Sequence, residues 1–325
     1  MSIRNFARFA ARVQLLPVLE TGEETLVGGQ AVIEGVMMRA PHSYCVAVRR
    51  PAGEIVTEEQ PLPKVSEKYP LFRYPILRGI GTLGQAMWLG VKALRFSANA
   101  VLDENDPHRK SQQMPGWMMA LHVAFSFVFF IALYKLVPLW ITTWLGKWFP
   151  SLEGRIAFNF TDGVIRLLIF LAFLFSISLW KDIRRVFEYH GAEHRVVFNF
   201  ESGLPVTVQN AQSFPTFHPR CGTSFLLVVM VISILVYSLA PFQDFAGRLV
   251  SRILFLPLIA GLSYEMIRYA ARNRRGLMAA LTAPGLWLQR ITTQPPSDDQ
   301  TEVAIHALNR AMELEASQGG QLVIA

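Results

Sequence analysis

Gly-Val-Ile-Arg-Leu-Leu-Ile-Phe-Leu-Ala-Phe-Leu-Phe-Ser-Ile-Ser-Leu-Trp, residues 163–180, contains a single charge, Arg166. As a helix this run would be about 27 Å long, close to the ~30 Å thickness of a bilayer's hydrocarbon core. Three other stretches have the same texture: 117–145, 225–242 and 249–269. The first contains His122 and Lys135 and the last Arg252, so neither is uniformly apolar. The fold expected is an α-helical polytopic membrane protein with about four transmembrane helices over 117–269.

Composition supports the bilayer as solvent. Hydrophobic residues are 52% and charged residues 17% of the 325, with 23 Phe and 7 Trp. The net charge of +7 would suit a nucleic-acid partner if Lys and Arg were spread evenly, but they sort by loop. Fourteen precede the first run, two separate runs one and two, five separate two and three, one separates three and four, and six follow Met266. Such alternation is the positive-inside pattern with both termini cytoplasmic, and it removes the need for a specific nucleic-acid partner. The chain is expected in the cytoplasmic membrane as a multi-pass protein. Met1–Glu24 shows no continuous apolar core of a signal peptide. Cys45 and Cys221, both on the cytoplasmic side of this topology, are expected to remain thiols.

Outside the apolar runs the texture changes several times. Residues 1–24 form a basic amphipathic arm, with Arg4, Arg8 and Arg12 opposite Phe6, Phe9 and Val13. Residues 25–70 read as a small cytoplasmic β-rich unit, with strands at 31–38, 44–50 and 54–60 and a turn at Pro51-Ala52-Gly53. Residues 71–116 read as interfacial helices and a linker, punctuated by Gly79, Gly81, Gly84 and Gly90. A cytoplasmic motif loop occupies 181–224. Residues 270–325 read as an interfacial segment followed by a helix capped at Ser297.

Two motifs carry chemistry. His190-Gly191-Ala192-Glu193-His194 places two imidazoles one helical turn apart with a carboxylate before the second, the H-x-x-E-H order of inverted zinc hydrolases. His190 and His194 are candidate ligands of a divalent metal, zinc first among them, and Glu193 the candidate general base. Gly191 should cost such a helix about 1 kcal/mol relative to alanine, so a tertiary contact or an ion must offset it. A hydrolytic site needs a third ligand, and His218, Cys221 and Glu265 are the candidates at the same membrane face. The competing reading has the histidines capping a juxtamembrane helix, His218 and Cys221 in an ordinary turn, and Glu265 paired with Arg268. The second motif, Gly28-Gly29-Gln30-Ala31-Val32-Ile33-Glu34-Gly35-Val36-Met37-Met38-Arg39, sets Gln30, Glu34 and Arg39 among apolar neighbours as a candidate substrate or partner groove.

Together with His218-Pro-Arg-Cys-Gly-Thr-Ser-Phe225 and Pro284-Gly-Leu-Trp-Leu-Gln-Arg290, these motifs resemble the YqhQ-like family of bacterial membrane proteins, over roughly 26–293. The resemblance implies a bacterial inner-membrane protein carrying a domain of unknown function and the label of a predicted metal-dependent enzyme. The leading expectation is a metal-dependent hydrolase acting on a membrane-associated protein or a lipid at the cytoplasmic interface. The alternative is a non-enzymatic assembly factor or docking platform. A transporter ranks third, because the spans hold few polar groups and no inverted repeat is visible.

Overall fold

The computed structural model describes residues 27–63, 65–102, 115–152, 154–218, 221–242, 244–272 and 277–317. The basic arm at 1–24 and most of the linker before 116 lie outside them. The described chain is mostly helical, with one small antiparallel sheet near its N-terminus.

The sheet is a meander, β1 (Gly28–Val32), β2 (Gly35–Arg39), β3 (Ser43–Arg49) and β4 (Ile55–Pro61), paired in chain order. The segment read as one strand at 31–38 is folded back on itself. Val32 pairs with Gly35, leaving Ile33 and Glu34 as a two-residue turn, and Glu34 carries a positive φ of 52°. Side-chain alternation gives the sheet two apolar faces. Met37, Tyr44, Val46 and Val48 pack beneath α1 (Leu77–Ala100) through Leu89, Ala93 and Ala100. Val36, Met38, Cys45 and Ala47 pack against two other helices, α4 (Lys181–Glu201) and the C-terminal α10 (Asp298–Ser317). The result is a three-layer helix–sheet–helix body built from three separated parts of the sequence.

Each covering helix shows why it lies there. Tyr189, Ala192, Val196 and Val197 recur on one face of α4, while Val303, Ala304, Ala307, Leu308 and Ala311 line one face of α10 with mostly small side chains. At the start of α10, Ser297 Oγ accepts from Gln300 N–H and Gln300 Oε1 accepts from Ser297 N–H, a reciprocal capping box. Helix α1 runs unbroken through its glycines. A Cβ at Gly79 would stand 2.7 Å from Tyr264, and one at Gly90 would stand 2.8 Å from Gln30 Oε1, so these two permit close helix approach.

The apolar helices are α2 (Gly116–Gly146), α3 (Arg155–Ser178), α6 (Gly222–Leu239), α7 (Phe245–Leu254), α8 (Leu256–Arg272) and α9 (Leu277–Thr292), with the single-turn α5 (Val208–Gln212) before Cys221. Two of them, α2 and α3, are long and apolar enough to cross a membrane, and α7 with α8 makes a third if the pair is one span bent by 50°. Among the described residues that is fewer than the four expected. The run at 225–242 stops at Leu239, so its apolar part, Phe225–Leu239, is shorter than a full span. The run at 249–269 breaks at Phe255, where Pro257, without an N–H, cannot continue the hydrogen-bond ladder from α7.

Pro138 acts similarly in α2. A five-residue π segment, Ala132–Leu136, precedes it, and the Tyr134 carbonyl, which residue 138 would normally satisfy, accepts from Arg166 Nε at 3.1 Å. Helix α3 does not run on into the histidine motif. It ends at Ser178, and Trp180 is extended, which lets α4 turn its apolar face onto the sheet.

Candidate metal centre

His190 and His194 occupy successive turns of α4, with ring centroids 4.5 Å apart. Cys221 joins them as the N-cap of α6. One donor atom from each of the three lies within 4.8 Å of the other two. His190 Nε2 is 3.3 Å from Cys221 Sγ. In a tetrahedral zinc site with bonds of about 2.0–2.3 Å, donor atoms lie roughly 3.3–3.8 Å apart, so only a slight closure is required.

The backbone around the motif fixes which nitrogen of each ring is free. His190 Nδ1 is 2.8 Å from the Thr292 carbonyl, and His194 Nδ1 contacts the Thr216 carbonyl. A carbonyl can only accept, so each Nδ1 carries its proton and each Nε2 presents a lone pair inward. This is the usual outer-shell arrangement of ligating histidines. Burial pushes the His194 pKa down, outweighing the hydrogen bond and charge of Cys221, which favours the neutral ring that a metal needs. The Cys221 sulfur is 3.1 Å from Thr223 Oγ1 and 3.5 Å from the Thr223 amide at the start of α6. Two imidazoles and a thiolate form a borderline-soft donor set that suits zinc.

Glu193 is 6% exposed and its Oε2 is 3.4 Å from His194 Nε2, the nitrogen facing the cluster. The carboxylate stem lies against β1. A Cβ at Gly29 would stand 2.7 Å from Glu193 Cγ, so that glycine is needed for the strand to approach the motif. Gly191 has a similar explanation. A Cβ there would stand 2.0 Å from the Gln294 carbonyl oxygen, in the segment that returns from α9 and supplies the Thr292 carbonyl. Gln294 N–H also donates to the Phe187 carbonyl at 2.9 Å, tying that segment to α4.

The other candidates are placed differently. His218 is a neighbour of the trio, with its ring 5.6 Å from that of His194 and 4.5 Å from Phe198, but its Nε2 faces Glu201 at 3.5 Å. Its backbone is clamped by Gln289, which accepts from His218 N–H and donates to His218 O. Glu265 is not brought to the histidines. It accepts both guanidinium donors of Arg78 and the Ile76 amide, at the start of α1.

Gln30, Glu34 and Arg39 tie the sheet to its helices. Gln30 sits over Gly90, Arg39 Nη2 donates to Gln85 Oε1 at 3.0 Å, and Glu34 accepts from Arg185 and from the Tyr189 hydroxyl. Burial lowers the Arg39 pKa, and hydrogen bonding to Glu34 raises that of Arg185. The Thr216 and Thr292 carbonyls and Gln289 complete the surroundings of the trio. Carbonyls carry no residue signature, whereas Gln289 lay within the 284–290 motif, where its apolar neighbours suggested only an interfacial helix.

A family model described as Protein of unknown function (DUF1385) matches residues 74–314. The chain is also similar to "Uncharacterized protein YqhQ" of Bacillus subtilis (strain 168), at 35% identity over 299 residues, 89% of this chain and 93% of that protein. No solved structure matches.

Proposed function

The chain belongs to the DUF1385 family of proteins of unknown function, so a reading of its activity has to rest on its own side chains, and on that basis we propose a metal-dependent membrane enzyme, a hydrolase. His190, His194 and Cys221 would hold a divalent ion, zinc by preference, and the substrate would be a lipid or a membrane-associated protein at the cytoplasmic interface. The proposed setting is the bacterial inner membrane, with both termini cytoplasmic and α6 and the bent α7–α8 pair counted with α2 and α3 as spans. The observation that carries the reading is the convergence of three donor atoms within 4.8 Å, two of them oriented by backbone carbonyls.

The ion, when bound, supplies Lewis acidity. The chain supplies the rest. Three protein donors leave a fourth position for a small ligand, the arrangement of catalytic rather than structural zinc. Glu193, buried and directed at the same nitrogen face, is positioned to take a proton from water and return it to a leaving group. Gly29 and Gly191 keep β1 and the 292–294 segment close enough to hold Glu193 and His190 in place.

Metal analysis of the purified protein against a His190→Ala, His194→Ala double variant tests the ligand assignment. Stoichiometric zinc, or another divalent ion, in the parent and loss in the variant is expected. Equal and negligible metal in both overturns the reading. Glu193→Gln should retain metal while abolishing function. A fully functional Glu193→Gln protein would favour the non-enzymatic docking reading instead.

A further inference from the structure

At the end of α6 opposite Cys221, about 24 Å away along 16 residues of helix, the apolar helices enclose a second polar cluster. Asp162 pairs with Arg166 on its own helix and with Arg252 of α7, Nη2 to Oδ1 at 3.1 Å. Lys135, in the π segment of α2, reaches the Tyr237 hydroxyl at 3.2 Å, and that hydroxyl donates to the Arg252 carbonyl. Lys135 is 9% exposed and Asp162, Arg166 and Arg252 are 1–3% exposed. Ionised groups among lipid-facing helices are costly and mark functional sites.

The charges do not balance. Three cations share one carboxylate, and among the described residues no second carboxylate lies within ion-pair distance of them. Guanidinium groups remain protonated. Even with Lys135 neutral, two guanidiniums therefore outnumber Asp162. Hydrogen bonding is incomplete as well: Arg252 Nε is buried with no acceptor. Unpaired buried charge of this kind is strongly destabilising unless a counter-ion supplies both the charge and the acceptors.

A groove lies beside the residues that flank the cluster. Asn159 Oδ1 accepts from Arg252, and its Nδ2 donates to the carbonyls of Arg155 and Tyr237. The residues flanking these, Ile156, Ala157, Phe160, Ser238 and Leu239, together with Arg155, line an open groove of about 980 Å³. The groove is mainly apolar with one exposed guanidinium, Arg155, a lining suited to an acyl chain with an anionic group beside it.

We propose that this cluster binds a phosphate-type oxyanion reached through the groove. Two sources share that chemistry, the headgroup of an anionic phospholipid and free inorganic phosphate. The site is independent of the metal reading.

The test uses the full-length protein, purified and stripped of lipid, with binding read by native mass spectrometry and thermal unfolding. The probes are phosphatidylglycerol, phosphatidylcholine and inorganic phosphate. Phosphatidylglycerol is expected to bind at least roughly tenfold more tightly than phosphatidylcholine, as charge-assisted contacts imply. Lys135→Met, which leaves the Asp162 pairs intact, and Arg155→Gln, at the exposed groove wall, should each reduce that preference several-fold. If phosphate alone stabilises the protein and competes with the lipid, the oxyanion is the free ion; if it does neither, the headgroup is the ligand. Equal binding of the two lipids with no phosphate effect overturns the proposal. So does a lipid preference that both variants leave unchanged. Should Lys135→Met fail to fold, Arg155→Gln decides.

Discussion

At Gly191 two opposing effects of an added methyl group can be weighed. Alanine would gain about 1 kcal/mol of helix propensity, yet its Cβ would meet the Gln294 carbonyl oxygen at 2.0 Å. Backbone cannot move aside as a side-chain tip can, and overpacking costs about 1–3 kcal/mol. Gly191→Ala is therefore expected to be net destabilising, by up to about 2 kcal/mol. Because the displaced segment carries the Thr292 carbonyl that orients His190, zinc affinity should fall roughly tenfold or more. Competition against a chromogenic chelator measures it, and unchanged affinity would remove Thr292 from the site. Much at this scale was legible beforehand. The i, i+4 histidines and the intervening glutamate follow from helical periodicity alone. The choice among His218, Cys221 and Glu265 did not, because it depends on where a Pro- and Gly-bent turn points its side chains. Glu265 is taken up by Arg78, 187 positions earlier, and no local pattern announces such a partner.

Among the elements, the grip of α10 on the sheet has a testable pH dependence. Glu315, buried near the end of α10, accepts from the His42 amide at 2.8 Å, from the Ser43 hydroxyl at 2.9 Å, and contacts the His42 ring at 3.0 Å. Burial opposes its ionisation, but these bonds prevail and hold its pKa below the ordinary 4.5. A depressed carboxyl pKa contributes stability that is fully present above about pH 4.5 and is lost as the pH falls through the folded-state value. Hydrogen exchange along α10 should accelerate in that acid window, and Glu315→Gln should already be weakened by about 1–2 kcal/mol at pH 7 and lack the acid step. Identical acid profiles in both proteins would contradict the assignment. The strands themselves could be read from alternation, but the β1–β2 turn could not. Its positive φ falls on Glu34 rather than on the Asn or Gly that signals such turns, and Arg185 and Tyr189 from a distant helix hold it there. The bend in the fourth apolar run is hidden for a simpler reason. Hydropathy averages across Pro257, whereas the hydrogen-bond ladder does not.

For the whole molecule, the distribution of parts matters more than any one of them. Strands from the first sixty residues are covered on one face by α4 and by the last helix, and Arg49–Glu302 and Arg310–Glu59 pairs cross the same boundary. Those exposed pairs are screened by solvent and contribute little, so the apolar contacts of Val303, Ala304, Ala307, Leu308 and Ala311 dominate. Ending the chain before Asp298 should leave the apolar helices intact yet uncover the face of the sheet that supports Glu193. The expected outcome is a membrane-inserted protein with normal helical content that fails to retain zinc. Full metal retention by that truncation would show that α10 is dispensable to the centre.

The same arrangement sets an order of events during synthesis. A total of 236 residues separate the end of β4 from the start of α10, roughly 10–50 s of translation. Throughout that interval the sheet lacks α10, and the Thr292 carbonyl that orients His190 has yet to leave the ribosome. On the proposed reading the centre would mature only in a chain whose apolar helices have all been made, metal capture would report completed biogenesis, and stalled nascent chains ending before residue 292 should come away without zinc.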